Sequence, residues 1–170
     1  MKNLLRCTKC VTPETHETIM FNEQGVCNIC EQQEFKQTQI NWETRLKELT
    51  DIVEEYKGHY DYDCIVPFSG GKDSVWTLYY IVKELKLTPL VVRFDHGFLR
   101  PNLNENTKRV TRKLGVTVHH FTPNWKVSQK LMLQSFLEKG DFCWHCHNGI
   151  FSYPMHIAIK FNVPLIIWGE

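Results

Sequence analysis

Six consecutive residues, Ser69-Gly70-Gly71-Lys72-Asp73-Ser74, hold the densest chemistry in this chain. They follow the apolar run Cys64-Ile65-Val66-Pro67-Phe68 and precede a helix-like stretch over 75–86. Glycines let a backbone turn with positive φ and let an anion approach without meeting a Cβ. The free N–H groups and positive dipole end of the following helix then face that anion. Lys72 adds a mobile positive charge, and the hydroxyls of Ser69 and Ser74 add neutral donors. Asp73 is the odd member, because a carboxylate beside phosphates is repulsive unless it caps the helix or holds Mg²⁺. The string has neither Walker A spacing nor Gly-x-Gly-x-x-Gly spacing. It reads as a phosphate cradle of another kind.

Four cysteines near the N-terminus give the second strong pattern. Cys7-Thr8-Lys9-Cys10 and Cys27-Asn28-Ile29-Cys30 have the spacing of a tetrathiolate zinc site. Pro13 and Gly25 flank Thr18-Ile19-Met20-Phe21, which suits a short hairpin arm. So few apolar residues cannot hold a fold alone, so the metal would supply most of its stability. Four thiolates leave no open coordination position, so the zinc is expected to be structural. Disulfides are the competing reading, disfavoured because no secretory signal precedes these cysteines.

The elements that must position these groups are legible as periodicities. The chain has 170 residues, 42% hydrophobic and 23% charged, enough for one α/β core and a small satellite. Its net charge of +1 gives no global drive toward nucleic acid or an anionic membrane. The apolar stretches are too short to span a bilayer, so a cytoplasmic protein is expected. The zinc arm covers 1–33. A linker helix over 34–58 follows, with Trp42, Leu46, Leu49, Val53 and Tyr56 on one stripe and Gly58 at its end. From residue 59 strands and helices alternate. Strands are expected at 63–68, 89–95, 116–121 and 163–168. Helices are expected at 74–86, 103–114, 125–138 and from Pro154 to 161, the last with proline in its first turn. Val75, Leu78, Tyr79, Val82 and Leu85 would form the buried face of the first of these. Such alternation predicts a parallel, doubly wound α/β sheet covered on both faces. Ligands then bind beyond the C-terminal strand ends, where the 69–74 loop, the Asp95-His96-Gly97 loop and Gly169-Glu170 converge. An apolar strand directly before Glu170 would be an exposed edge, so a longer protein is expected.

A second cluster, Phe142-Cys143-Trp144-His145-Cys146-His147, places two thiols and two imidazoles in an expected loop. Cys143 and Cys146 suit a second metal, an iron–sulfur cluster or a redox or persulfide-carrying pair. Two sulfurs alone do not complete a site, so a purely structural role stays open. Cys64 lies within a strand and reads as core. His59, His119 and His120 have no partner pattern, whereas His96 follows a strand and could face a nucleotide.

The 69–74 loop in its strand–loop–helix context resembles the PP-loop of the ATP pyrophosphatases, which are of the adenine nucleotide alpha hydrolase, Rossmann-like type. The tetracysteine arm, Val66-Pro67-Phe68 with that loop, Cys143-Trp144-His145-Cys146-His147-Asn148-Gly149-Ile150-Phe151, and Ile167-Trp168-Gly169-Glu170 together resemble the N-acetyl sugar amidotransferases of surface polysaccharide (O-antigen) biosynthesis. The resemblance spans essentially the whole chain, as the N-terminal part of a longer protein. It implies an ATP pyrophosphatase-type enzyme that adenylates a sugar N-acetyl carbonyl and lets ammonia displace AMP. ATP and Mg²⁺ would be held by Ser69, Gly70, Gly71, Lys72, Asp73, Ser74, Phe94, Asp95 and Gly169. Lys72 would meet the phosphates, Asp73 would cap the helix or hold Mg²⁺, and Phe94-Asp95 would face the adenine edge. A sugar or nucleotide-sugar would be the substrate, and no cysteine is placed as a glutaminase nucleophile, so a separate glutaminase subunit would deliver ammonia. Two alternatives remain: a PP-loop tRNA thiolase, opposed by the missing basic stripe, and a non-catalytic ATP-binding zinc module.

Overall fold

The computed structural model describes residues 4–169. Met1, Lys2, Asn3 and Glu170, and with them the last residue of the Gly169-Glu170 end, lie outside the described residues. The chain divides into two compact units, one ending at Leu49 and the other starting at Thr50.

The first unit is built around its cysteines. Short antiparallel bridges, Arg6 with Pro13 and Phe21 with Cys27, make the arm. Cys7, Val26 and Cys27 form its small core, with Ile19, Phe21 and Cys30 packed against them. The second knuckle runs straight into helix α1 (Asn28–Thr38), so the helical region expected over 34–58 starts earlier and is broken at 39–41. This helix buries none of its residues, and its Glu- and Gln-rich composition is carried by propensity rather than by packing. Helix α2 (Trp42–Tyr56) follows, its N-terminus capped by Asn41 Oδ1, which accepts from the amides of Glu43 and Thr44. The predicted stripe is only partly buried: Val53 is 1% exposed, whereas Trp42 is 59% and Leu46 is 48% exposed.

The second unit carries the sheet. Strands β1 (Cys64–Pro67), β2 (Pro89–Phe94) and β3 (Thr117–Phe121) pair in parallel in the order β1-β2-β3. Register joins Ile65 to Leu90 and Arg93 to His120. Alternation puts Ile65, Leu90 and Val92 on one face, where they pack with Ile157, Ala158 and Val163. Cys64, Val66 and Val91 on the opposite face are fully buried as well. Both faces are therefore covered, as a doubly wound sheet requires.

Helix α3 (Lys72–Lys83) connects β1 to β2, and α4 (Pro101–Leu114) connects β2 to β3. On α3 the buried residues are Ser74, Leu78 and Ile81, while Tyr79 turns outward and stacks on exposed Trp76 at 5.6 Å. Helix α4 starts with Pro101 in its first turn and ends at Gly115, whose φ of 68° gives the left-handed cap. Helix α5 (Trp125–Lys139) starts on Asn124, whose side chain accepts from the amides of Lys126 and Val127.

Two expectations are corrected here. Helix α6 (Trp144–Phe161) begins at Trp144 rather than Pro154, so the second cysteine cluster is the start of a helix and not a loop. Proline inside a helix removes one backbone bond but is tolerated where packing compensates, and Pro154 is buried. The predicted strand at 163–168 shrinks to a single parallel bridge, Ile166 with Ile65. Ile65 N–H donates to Leu165 O at 2.8 Å, and Ile167 N–H donates to Ile65 O at 2.9 Å. Pro164 has no N–H to extend this pairing, and by Gly169 the backbone already lies against α3. The bridge still sets the topology. It lies on the side of β1 away from β2, so the strand order reverses at β1.

Candidate functional site: a crevice at the reversal of strand order

Parallel α/β sheets bind ligands beyond the strand C-termini where the order reverses. A crevice of about 470 Å³ occupies that place. The loop after β1 contributes Ser69, Gly71, Asp73 and Ser74. Phe94 and His96 come from the end of β2, Ile150 and Pro154 from α6, and Trp168 and Gly169 from the bridged segment.

The loop is held by its own hydroxyls. Ser74 Oγ accepts from Gly70 N–H at 3.1 Å and donates to Gly71 O at 3.1 Å, and Ser69 Oγ lies 3.1 Å from Ser74 Oγ. Gly71 N–H donates to Ser69 Oγ at 3.3 Å. Both glycine amides are thus engaged within the loop. The amides of the first turn of α3 remain. Gly71 is its N-cap, no side chain caps the helix, and Asp73 therefore does not serve as the cap. Gly70 adopts φ +84°, and a Cβ there would lie 2.5 Å from Thr107 Oγ1. A Cβ on Gly169 would collide with the side chain of Thr77 on α3 and lie 3.3 Å from Ser74 Cα. That close approach is what brings the bridged segment against the start of α3.

The tip of the Phe94 ring fills the gap left by Gly149, where a Cβ would collide with it. Tyr153 and Phe121 surround it at 6.2 and 5.7 Å. Asp95, predicted beside it at the adenine edge, faces the other side of the sheet. Its Oδ1 accepts from Gly97 N–H at 2.9 Å, and its Oδ2 lies 3.6 Å from His120 Nε2. The crevice-lining residue after Phe94 is instead His96. Burial pulls the His96 imidazole below the usual histidine range, aided by Arg93 and His147 and opposed by Asp95. Its Nδ1 accepts from Phe98 N–H at 3.3 Å, which leaves Nε2 as the donor of the neutral ring. Lys72 is exposed at the helix start and is not among the crevice-lining residues.

Trp168, Leu99, Ile150 and Arg93 also line the crevice without having been singled out as binding residues. A lone arginine within the apolar run Pro89-Leu90-Val91-Val92-Arg93-Phe94 was the available signal for one of them.

The four N-terminal cysteines converge. Their Sγ atoms all lie within 4.8 Å of one another, with Cys7 to Cys30 at 3.9 Å and Cys10 to Cys27 at 3.6 Å. Four sulfurs about 2.3 Å from one zinc ion are about 3.8 Å apart in a tetrahedron, so the donor set fits that metal. Cys7 Sγ accepts from the amides of Lys9, Cys10 and Cys27 at 3.4, 3.4 and 3.2 Å. Burial works against its thiolate, but these amides outweigh it and bring Cys7 down to about 6. Cys30 is pushed up to about 12, first by its bond with Cys10 and then by burial. A cation at the centre removes that conflict by stabilising all four thiolates.

Cys143 and Cys146 belong to no such group of three or more ligands among the described residues. Cys143 is the N-cap of α6, and Cys146 is 4% exposed with His145 Nε2 at 3.4 Å from its sulfur. Burial raises the Cys146 thiol, reinforced by Cys143 and Asp141. Among the described residues no helix is long and apolar enough to cross a membrane.

No family model matches the chain. An uncharacterized protein of Methanocaldococcus jannaschii is 33% identical over 169 residues, covering 98% of this chain and 59% of that protein. The chain thus spans well under two thirds of this curated relative. Among solved structures, an NH3-dependent NAD synthetase from Campylobacter jejuni, in complex with nitrate, superposes with a TM-score of 0.53 at 15% identity. That match covers 77% of this chain and 57% of the synthetase. A U34-tRNA thiolase from Methanococcus maripaludis, with its 4Fe–4S cluster, gives a TM-score of 0.48 at 16% identity over 97% of this chain and 54% of its own. The parallel sheet, the reversal of strand order at β1 and the likeness to the synthetase give the chain the α/β fold of the PP-loop type, preceded by a four-cysteine arm that could hold zinc.

Proposed function

We propose that this chain is the ATP-binding part of a pyrophosphatase-type amidotransferase that converts the N-acetyl group of a sugar, or of a nucleotide-sugar, into an acetamidino group. The observation that carries the ATP reading is the uncapped start of α3 at the strand-order reversal, its loop stiffened by serine hydroxyls. The synthetase of the same fold is, by its name, an ammonia-dependent enzyme, which supports nitrogen transfer. The sugar itself rests on the resemblance of Cys143-Trp144-His145-Cys146-His147 and Ile167-Trp168-Gly169 to the sugar amidotransferases.

An amide carbonyl is a poor electrophile, so its oxygen must first become a leaving group. The carbonyl oxygen attacks the α-phosphorus of ATP, the α–β bridging bond breaks, and pyrophosphate departs. The amides of Lys72, Asp73 and Ser74 and the positive end of α3 stabilise the charge that grows on it. Lys72, mobile at the helix start, closes over the same phosphates. Mg²⁺ held by Asp73 would neutralise further negative charge. Ammonia then adds to the imidate carbon, AMP leaves with the former carbonyl oxygen, and the surplus proton is lost. His96 offers an N–H at the crevice wall to orient the substrate. Ammonia arriving from a separate glutaminase subunit would avoid loss to solvent.

A second reading is favoured by one feature, the paired thiols Cys143 and Cys146 at the start of α6. A thiolase uses the same adenylation but delivers sulfur. The test uses the full-length protein with ATP, ammonium and an acetylated nucleotide-sugar carrying heavy oxygen in its carbonyl. The amidotransferase reading requires an amidine product and heavy oxygen in AMP. A parallel assay supplies ATP, tRNA and sulfide in place of sugar and ammonium: thiolated tRNA there, with no amidine in the first assay, would replace it with the thiolase.

A further inference from the structure

Arg93 is a buried cation whose acidic neighbour Asp95 acts on it from beyond ion-pair distance. It is 4% exposed, on the face of β2 that lies under α4. One guanidinium nitrogen, Nη2, donates to Asn104 Oδ1, and the buried Nε has no hydrogen-bond partner. Arg93 forms no ion pair among the described residues. Burying a charge without a partner is costly, so such a group signals a counter-charge that a ligand supplies.

Arg93 lines the crevice and also a second depression, of about 420 Å³, between α4 and β3. His120 stands beside Arg93 through the strand register, and Lys108 reaches the same depression from α4. Lys108 is exposed and also forms no ion pair among the described residues. Thr107 and Thr111 line the space, but their hydroxyls donate to the carbonyls of Leu103 and Thr107. Asp95 is the one carboxylate present, with one oxygen engaged by Gly97 and the other turned to His120. Two fixed cations and an imidazole therefore face one occupied carboxylate.

We propose that this depression is a second anion site, distinct from the phosphate loop, which takes a phosphate-class dianion between Arg93, Lys108 and His120. A dianion fits better than a monoanion because it neutralises both fixed charges. Arginine presents a fork of donors to such an oxyanion.

The test titrates the full-length protein with inorganic phosphate at constant ionic strength, against chloride, and follows the His120 ring resonances, assigned by their loss in His120→Gln. Phosphate should move them saturably and chloride should not. Lys108→Gln, at an exposed position, should weaken the response roughly tenfold, the loss of one charged contact. Arg93→Lys, which keeps the charge but loses the fork, should weaken it as well. Lys72→Ala should leave the His120 response intact, since that lysine serves the phosphate loop. Equal shifts with chloride, or a phosphate response that survives Lys108→Gln unchanged, would overturn the site. So would a response abolished by Lys72→Ala, because the bound phosphate would then belong to the loop.

Discussion

Replacing Gly70 by alanine probes the loop through two separable costs. Its φ of +84° lies where an L-residue pays about 1–2 kcal/mol. The new methyl would also lie 2.5 Å from Thr107 Oγ1 and 3.4 Å from Leu103 Cγ. Overpacking of that kind costs about 1–3 kcal/mol. The sum, about 2–5 kcal/mol, corresponds to a fall in melting temperature of roughly 5–15 °C. Thr107→Ala removes the closest atom but leaves the backbone angle untouched. The double variant should therefore recover about 1 kcal/mol or more relative to the sum of the single changes. Urea unfolding of all four proteins gives the cycle directly. Strict additivity would refute the argument, because it would show that the loop does not rest on α4 through Thr107.

Three further outcomes follow from the same geometry. Cys64 is fully buried and burial pushes its thiol up to about 12 from the usual 9.0, so the unfolded chain ionises first as pH rises. Stability is fully present below pH 9 and is lost progressively toward 12, and in Cys64→Ala the alkaline unfolding curve should be measurably flatter over that window. Chelation of zinc should unfold the first unit, seen as loss of amide dispersion at residues 4–38, and Cys7→Ser should abolish stoichiometric zinc in elemental analysis, since metal supplies about 10–16 kcal/mol in comparable small sites. On the proposed function, Lys72→Ala should lower turnover by roughly 10²–10³ with little change in melting temperature, because it would delete a charge that closes over the leaving phosphates and no packing.

How much of this was visible in the sequence differs from element to element. The runs Ile65-Val66 and Leu90-Val91-Val92 are apolar on both faces, and only a covered parallel strand suits them, so β1 and β2 were legible. Gly115 and Gly140 marked the ends of α4 and α5 because each takes positive φ. Helix α6 was misread because Gly149 and Pro154 look like punctuation. Gly149 is required by the Phe94 ring, and Pro154 is buried at the crevice wall, and neither reason is local. Helix α1 has no apolar stripe to announce it. The turn at 69–71 and the helix start at Lys72 were legible because two glycines directly after an apolar run announce them. The direction of Asp95 was not, since a one-residue step along a strand reverses the face. The isolated bridge at Ile166 pairs it with Ile65, a contact between distant parts of the chain that no local pattern announces.

The central claim is that ATP bound at the start of α3 is cleaved between its α and β phosphates. Chromatographic identification of the nucleotide and phosphate products formed by the full-length protein, with ATP, Mg²⁺, ammonium and acetylated nucleotide-sugar present, tests it most directly. The account predicts AMP and pyrophosphate in equal amounts, strongly reduced in Lys72→Ala. ADP and orthophosphate would contradict it.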